Sequence, residues 1–236
     1  MHQDYSPSDI FCENYRVNDI VPKTVKFIFI LESPHKDETK GRNVDENRPI
    51  VGRTGKNISK AFQLNSEKPF SEYLPRNNAN NECNNIPIAI VNVSNYPMQI
   101  VDDTGDCRFK SIIDYSVEDL ITAVSNIRKY PSSFPRKRNT LTKEIEDILY
   151  KDFKKRLDKI FEENTNKIYV FLFGKLAEGF YIKYISSGEN NKRSNIKSIT
   201  FPHPSRNVKK LSVAFSENKY GIKTTINKYV NEEKKT

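Results

Sequence analysis

The chain has 236 residues, enough for one domain with a buried core, and its 14 Phe and 12 Tyr argue against wholesale disorder despite a mean hydropathy of −0.71. A formal charge of +9 favours polyanionic partners, nucleic acid first among them. The longest mainly apolar run, VKFIFIL (25–31), is far too short to span a bilayer, and Cys12, Cys83 and Cys107 are too scattered for a disulfide framework or a zinc site. The expectation is a cytoplasmic, monomeric protein with no membrane contact and no cofactor.

The first 24 residues read as an irregular lead-in to one domain spanning 1–236. Residues 25–31 are short, β-rich and nearly continuously apolar, which predicts a buried strand. The polar loop ESPHKDETKGRNVDENRPIVGRTG follows. Residues 54–64 predict a helix capped by Thr54 or Asn57, with Ile58, Ala61, Phe62 and Leu64 facing inward. Residues 65–85 are polar and Asn-rich, hence a loop. IPIAIVNV (86–93) predicts a second buried strand, and SNYPMQIVDDTGDCRFK a loop. Residues 117–130 predict a helix, and PSSFPRKRN (131–139) a basic connector. From Thr140 to Asn164, Leu141, Ile145, Ile148, Leu149, Phe153, Leu157, Ile160 and Phe161 fall on one helical face. KIYVFLF (167–173) predicts a third buried strand, and Gly174 starts a helix to about Ile185. IKSIT (196–200) predicts a fourth strand running into FPHPSRN (201–207) and a final helical region.

Strands alternating with helices predict a three-layer α/β/α sandwich on a central four-stranded parallel sheet. Ligands of such sheets sit beyond the carboxyl ends of the strands. Each strand here ends in a chemically rich loop: ESPH, NVSNYP, FGK and HPSRN. Parallel strands place these loops at one edge, so Glu32, Asn92 and His203 are expected to converge.

Several motif readings fail on spacing. A Walker loop needs four residues between its glycines, but only Arg53 and Thr54 separate Gly52 from Gly55, and Asn57 stands where the hydroxyl belongs. No GxSxG elbow is present. HKDE (35–38) is the only local metal-type cluster, and its spacing is not that of a ligand set.

Five segments in order resemble the uracil-DNA glycosylase superfamily, closest to its family 4. LESPH (31–35) lies over a first motif that reads GEAPG in the family. RPIVGRTG (48–55) lies over a GRPFVGRAG-like run. Asn92 in IVNVSNYP lies at the base-reading asparagine, KIYVFLFGKLAEGF resembles a later strand–glycine–helix, and FPHPSRN the closing histidine motif. The similarity runs from about residue 25 to 210. There are three departures. Family 4 carries an iron–sulfur cluster on four cysteines, and three unclustered cysteines cannot build one. His35 replaces the glycine that ends the first motif. Ile50 replaces the aromatic that stacks on the base. The last two changes fall at the family's base pocket, so the reaction is better supported than uracil as the substrate.

The resemblance implies a DNA glycosylase that flips a base and hydrolyses its N-glycosidic bond, leaving an abasic site. His203, stiffened by Pro202 and Pro204, is then the donor to the departing base. Glu32 stabilises the sugar cation or holds water; alternatively it reads the base edge and leaves water to another group such as Asp37. Asn92, with Asn95 as a fallback, suits a Watson–Crick edge. His35, Ile50 and Ser33 fall near the base. Thr54, Lys56, Ser205, Arg206 and Asn207 fall on the DNA backbone or in the base stack. The changed pocket admits a modified cytosine in foreign DNA as well as uracil, and superfamily members acting in antiphage defence fit that alternative. Rival readings are a catalytically silent nucleic-acid binder of the same fold and an enzyme acting on free nucleosides or nucleotides.

Overall fold

Four parallel strands, β1 (Phe27–Leu31), β2 (Ile88–Asn92), β3 (Ile168–Phe173) and β4 (Ile196–Phe201), form one sheet in the order β2-β1-β3-β4. The computed structural model describes residues 5–39, 46–74, 86–99, 108–110, 115–130, 139–187, 196–204, 208–217 and 220–232. The register pairs Leu31 with Asn92, Ile30 with Leu172, and Phe173 with Phe201.

Side chains alternate across a strand, so each buried run feeds two cores. Ile28, Ile30, Ala89, Val91, Val170 and Leu172 face one layer of helices. That layer holds α1 (Pro7–Ile10), α3 (Val117–Lys129), α4 (Thr140–Glu163) and α5 (Lys175–Ser186). Phe27, Phe29, Phe171 and Phe173 face the other, made by α2 (Arg53–Ala61), α6 (Val208–Ser216), α7 (Ile222–Glu232) and the turn Phe70–Tyr73. This second core is a phenylalanine stack, with Phe62 and Phe215 ring centroids 4.4 Å apart and Phe29 edge-on to Phe173 at 5.2 Å. Such pairs contribute about 0.5–1.5 kcal/mol each beyond burial. The architecture is the expected three-layer sandwich.

The predicted elements hold within a few residues, with one correction, at the start of α2. The irregular lead-in packs into the domain. Ile10, Phe11, Val17 and Ile20 are buried, and Ile20 forms an antiparallel bridge with Ile90. Its apolar residues are too irregularly spaced to show a period, so tertiary contacts decide its shape. Helix α2 starts at Arg53 with Gly52 as its N-cap, so Thr54 and Asn57 lie inside the helix and neither caps it. The predicted final helical region resolves into α6 and α7. The Asn-rich run 76–85 and the connector 131–138 lie outside the described residues.

Candidate active site at the carboxyl edge of the sheet

Strand β1 is interior, and the chain leaves it toward β2 on one side before returning to β3 on the other. The connections after β1 and β3 also turn to opposite faces, into α2 and α5. This is a topological switch point, where an open parallel sheet leaves a crevice beyond its carboxyl ends.

A cleft of about 950 Å3 opens there, within the range of small-molecule sites. Glu32 follows β1 directly, Gly174 and Lys175 follow β3, and Pro202 and His203 follow β4. All five line the cleft, with Glu178 and Thr200 beside them. The two residues assigned to catalysis, 171 positions apart in sequence, thus share one cavity.

Glu32 is half-buried and lies flat against Gly174. A Cβ placed on Gly174 would come within 2.4 Å of its Oε1. Gly174 also holds φ +96, ψ 168, a conformation that side-chain-bearing residues rarely adopt. Glycine is required twice over, by the backbone and by the carboxylate. The main chain fixes the same corner: Ser94 N–H donates to the Glu32 carbonyl at 3.2 Å, and Gly174 N–H to the Phe201 carbonyl at 3.0 Å. Two residues further on is His203, and the next carbonyl, that of Pro204, accepts the Asn57 Nδ2–H bond at 2.8 Å. Helix α2 thereby ties down the histidine loop. Asn57 is missed as a tether in the sequence because its partner is 147 residues away.

Asn92, the last residue of β2, is 2% exposed, and Nδ2 of its side chain has no hydrogen-bond partner among the described residues. Asn95 is similarly buried with an unpartnered Oδ1. Neither lines the cleft. Buried amides seldom stay unpaired, so both are groups with unused hydrogen-bonding capacity next to the site. The strand end that carries them is clamped by a buried ion network. Asp19 Oδ1 accepts the Asn92 N–H at 3.3 Å, Arg156 Nη2–H donates to the Val93 carbonyl at 3.1 Å, and Arg156 Nη1 is 2.7 Å from Asp19 Oδ2. Burial alone would lower the Arg156 pKa; Asp19 and Asp152 more than offset it and hold the guanidinium charged. No motif announces this network, since its members come from the lead-in and from α4.

His35 is exposed and turns to its own loop, Nδ1 lying 3.1 Å from Asp37 Oδ2. Ser33 is half-buried, and neither residue lines the cleft. The Ile50 side chain is 1% exposed and packs in the phenylalanine core, while its backbone holds φ +54. A β-branched residue there is a real outlier. Three features support it. Gly55 leaves room for its carbonyl, where an added Cβ would lie 1.7 Å away; Ser71 Oγ–H donates to that carbonyl at 3.5 Å; and the Glu38 carboxyl binds the backbone of Ile50 and of His35. Glu38 is 7% exposed, and burial pushes its carboxyl up to about 8 against the pull of those backbone hydrogen bonds. It therefore joins the loop after β1 to the loop before α2. In the sequence it is one acid among several in a polar stretch.

Thr54 and Lys56 lie in the first turn of α2, and Lys56 pairs with Glu67 at 3.4 Å. Ser205, Arg206 and Asn207 lie outside the described residues. Arg128 and Lys129, from the last turn of α3, line the cleft and were not singled out by any motif. Fully buried Arg108 donates to the carbonyls of Pro97 and Gln99 and so fixes the segment that brings Gln99 to the rim. Among the described residues no group of three or more His, Cys, Asp or Glu is placed to hold a metal ion, and no helix is long and apolar enough to cross a membrane.

The sequence matches no protein-family model, and no curated protein is significantly similar to it. The class is therefore defined by fold and cleft: a parallel α/β protein with a carboxylate, an imidazole and cations around one switch-point crevice.

Proposed function

We propose that the protein is a monofunctional DNA N-glycosylase. The observation that carries this reading is that Glu32 and His203, matched to the ends of the resembling motifs, line the same cleft at the switch point. The flipped nucleotide places its sugar by Glu32 and its base by His203. The C1′–N bond breaks with its electron pair leaving on the base, and positive charge develops on the sugar. The Glu32 carboxylate stabilises that charge and holds the water whose oxygen bonds to C1′. His203 donates a hydrogen bond to the departing anion; the water gives up a proton to the Glu32 carboxylate as it bonds to C1′, and one proton is returned to the base, so the step balances. One preorganised donor of this kind is worth roughly 3–4 kcal/mol in the transition state. Thr54 and Lys56, outside the cleft in the first turn of α2, meet the DNA backbone that flanks the flipped nucleotide. The substrate is uracil or a modified cytosine of foreign DNA.

The test is base release. Wild type, Glu32→Gln and His203→Ala are incubated with single- and double-stranded DNA containing uracil, and in parallel with modified-cytosine phage DNA. Alkaline cleavage then reveals abasic sites. Release by wild type, reduced at least about a hundredfold in both variants, supports the assignment. Release only from modified DNA assigns the substrate to foreign DNA. No abasic sites on any substrate, with DNA binding retained, overturns it in favour of a silent binder.

A further inference from the structure

The cleft has a second wall. Arg128 and Lys129 close α3, Lys175 opens α5, and all three line the cavity that holds Glu32 and His203. Cations in the last turn of a helix complement its dipole, which by itself accounts for Arg128 and Lys129. Lys175 has the opposite setting. It is the first residue of α5, at the positive end of the dipole, where a cation is disfavoured. Three cations from two helices therefore converge on one open cleft, against two carboxylates, Glu32 and Glu178. Glu178 accepts the Thr200 Oγ1–H at 3.2 Å, and the cations still outnumber the carboxylates by one.

We propose that Arg128, Lys129 and Lys175 form the phosphate track of this cleft. They hold the sugar–phosphate backbone of a nucleic-acid strand on the wall made by α3 and α5 while the reacting nucleotide faces Glu32 and His203. The proposal rests on the reading that this cleft takes nucleic acid, and it places the main backbone contacts here rather than at Lys56, which does not line the cleft. A free nucleotide would offer the same phosphate chemistry, so the test separates the two sources.

Binding of labelled single-stranded and duplex DNA is measured by fluorescence anisotropy across a salt series. Arg128→Gln/Lys129→Gln/Lys175→Gln is compared with Lys23→Gln/Lys155→Gln/Lys159→Gln, which removes the same charge from exposed positions outside the cleft. Each phosphate contact contributes close to one unit of salt slope, so the cleft variant should bind at least tenfold more weakly, with a slope smaller by roughly three. The control should keep its slope within about one unit of wild type. Lys129→Gln alone, at an exposed residue that the fold does not need, should lower the slope by roughly one. Equal losses in the two triple variants, or no loss in the cleft variant, would overturn the track. So would competition by a deoxynucleoside monophosphate at its own concentration as effective as that by the strand. Base release is scored on the same preparations. Binding through the three cations without base release removes the glycosylase reading and keeps the track; base release undiminished in the cleft variant does the reverse.

Discussion

Replacing Gly174 by alanine tests the corner on which the site is built. Two costs are expected. The backbone at φ +96, ψ 168 disfavours any Cβ by about 1–3 kcal/mol. The new Cβ would also lie 2.4 Å from Glu32 Oε1, so the carboxylate must swing away, off its rotamer, for roughly 0.5–1.5 kcal/mol more. A total of roughly 1.5–4.5 kcal/mol lowers Tm by about 3–18 °C in a chain of this length. The second cost depends on Glu32 being there. Urea unfolding of Gly174→Ala, Glu32→Ala and the double variant should show a coupling of roughly 0.5–1.5 kcal/mol, with the strain remaining in the double variant. Base release should fall in Gly174→Ala even where the protein is fully folded, because the carboxylate has left the cleft. An alanine variant as stable as wild type, or additive single-variant costs, would refute the account of the Gly174–Glu32 contact.

Glu38 makes stability depend on pH in an unusual direction. Its folded carboxyl is raised from 4.5 to about 8, so the stability it lends is complete below the unfolded value and lost as pH rises through the folded one. Urea midpoints should fall between about pH 4.5 and 8, and Glu38→Gln should flatten that decline by a few kcal/mol on the order of the shift. Arg156→Met strands Asp19 and Asp152 and should cost roughly 3–5 kcal/mol by chemical denaturation, with part recovered by adding Asp19→Asn. Gly55→Ala drives a Cβ to 1.7 Å from the Ile50 carbonyl, which is backbone and cannot yield, so circular dichroism should show a severely destabilised protein. Gly52→Ala, with nothing within 4 Å, loses only the N-cap preference of α2 and should cost no more than about 1 kcal/mol, which makes it the mild control.

β1, β2 and β3 were legible because each is a short, almost unbroken apolar run buried on both faces, and α4 because its period is long enough to count. The convergence of Glu32 and His203 followed from parallel strands ending in polar loops. Strand order did not follow, because nothing in the runs says which neighbour each will take. The packing of the lead-in was not legible, since Phe11 and Ile20 are buried by distant partners, Phe109 and Ile90, and not by a local pattern. The same limit hid Asp19 with Arg156 and Asn57 with Pro204. Ile50 was legible as a departure from a motif, but its left-handed backbone and its place in the core depend on Glu38 and Gly55 folding around it.

Glu32 and His203 are carried by strands of unequal security. Glu32 follows β1, which has a neighbour on each side; His203 follows β4, which among the described residues pairs only with β3 and leaves Lys197, Ser198 and Thr200 exposed. Margins of a sheet open at lower free energy than its centre. Amide protons of β4 should therefore exchange faster than those of β1, and heating should switch base release off several degrees before the core melts. Cooling should restore the proposed activity as the strand closes, the margin of the sheet then setting a thermal limit for the imidazole and not for the carboxylate.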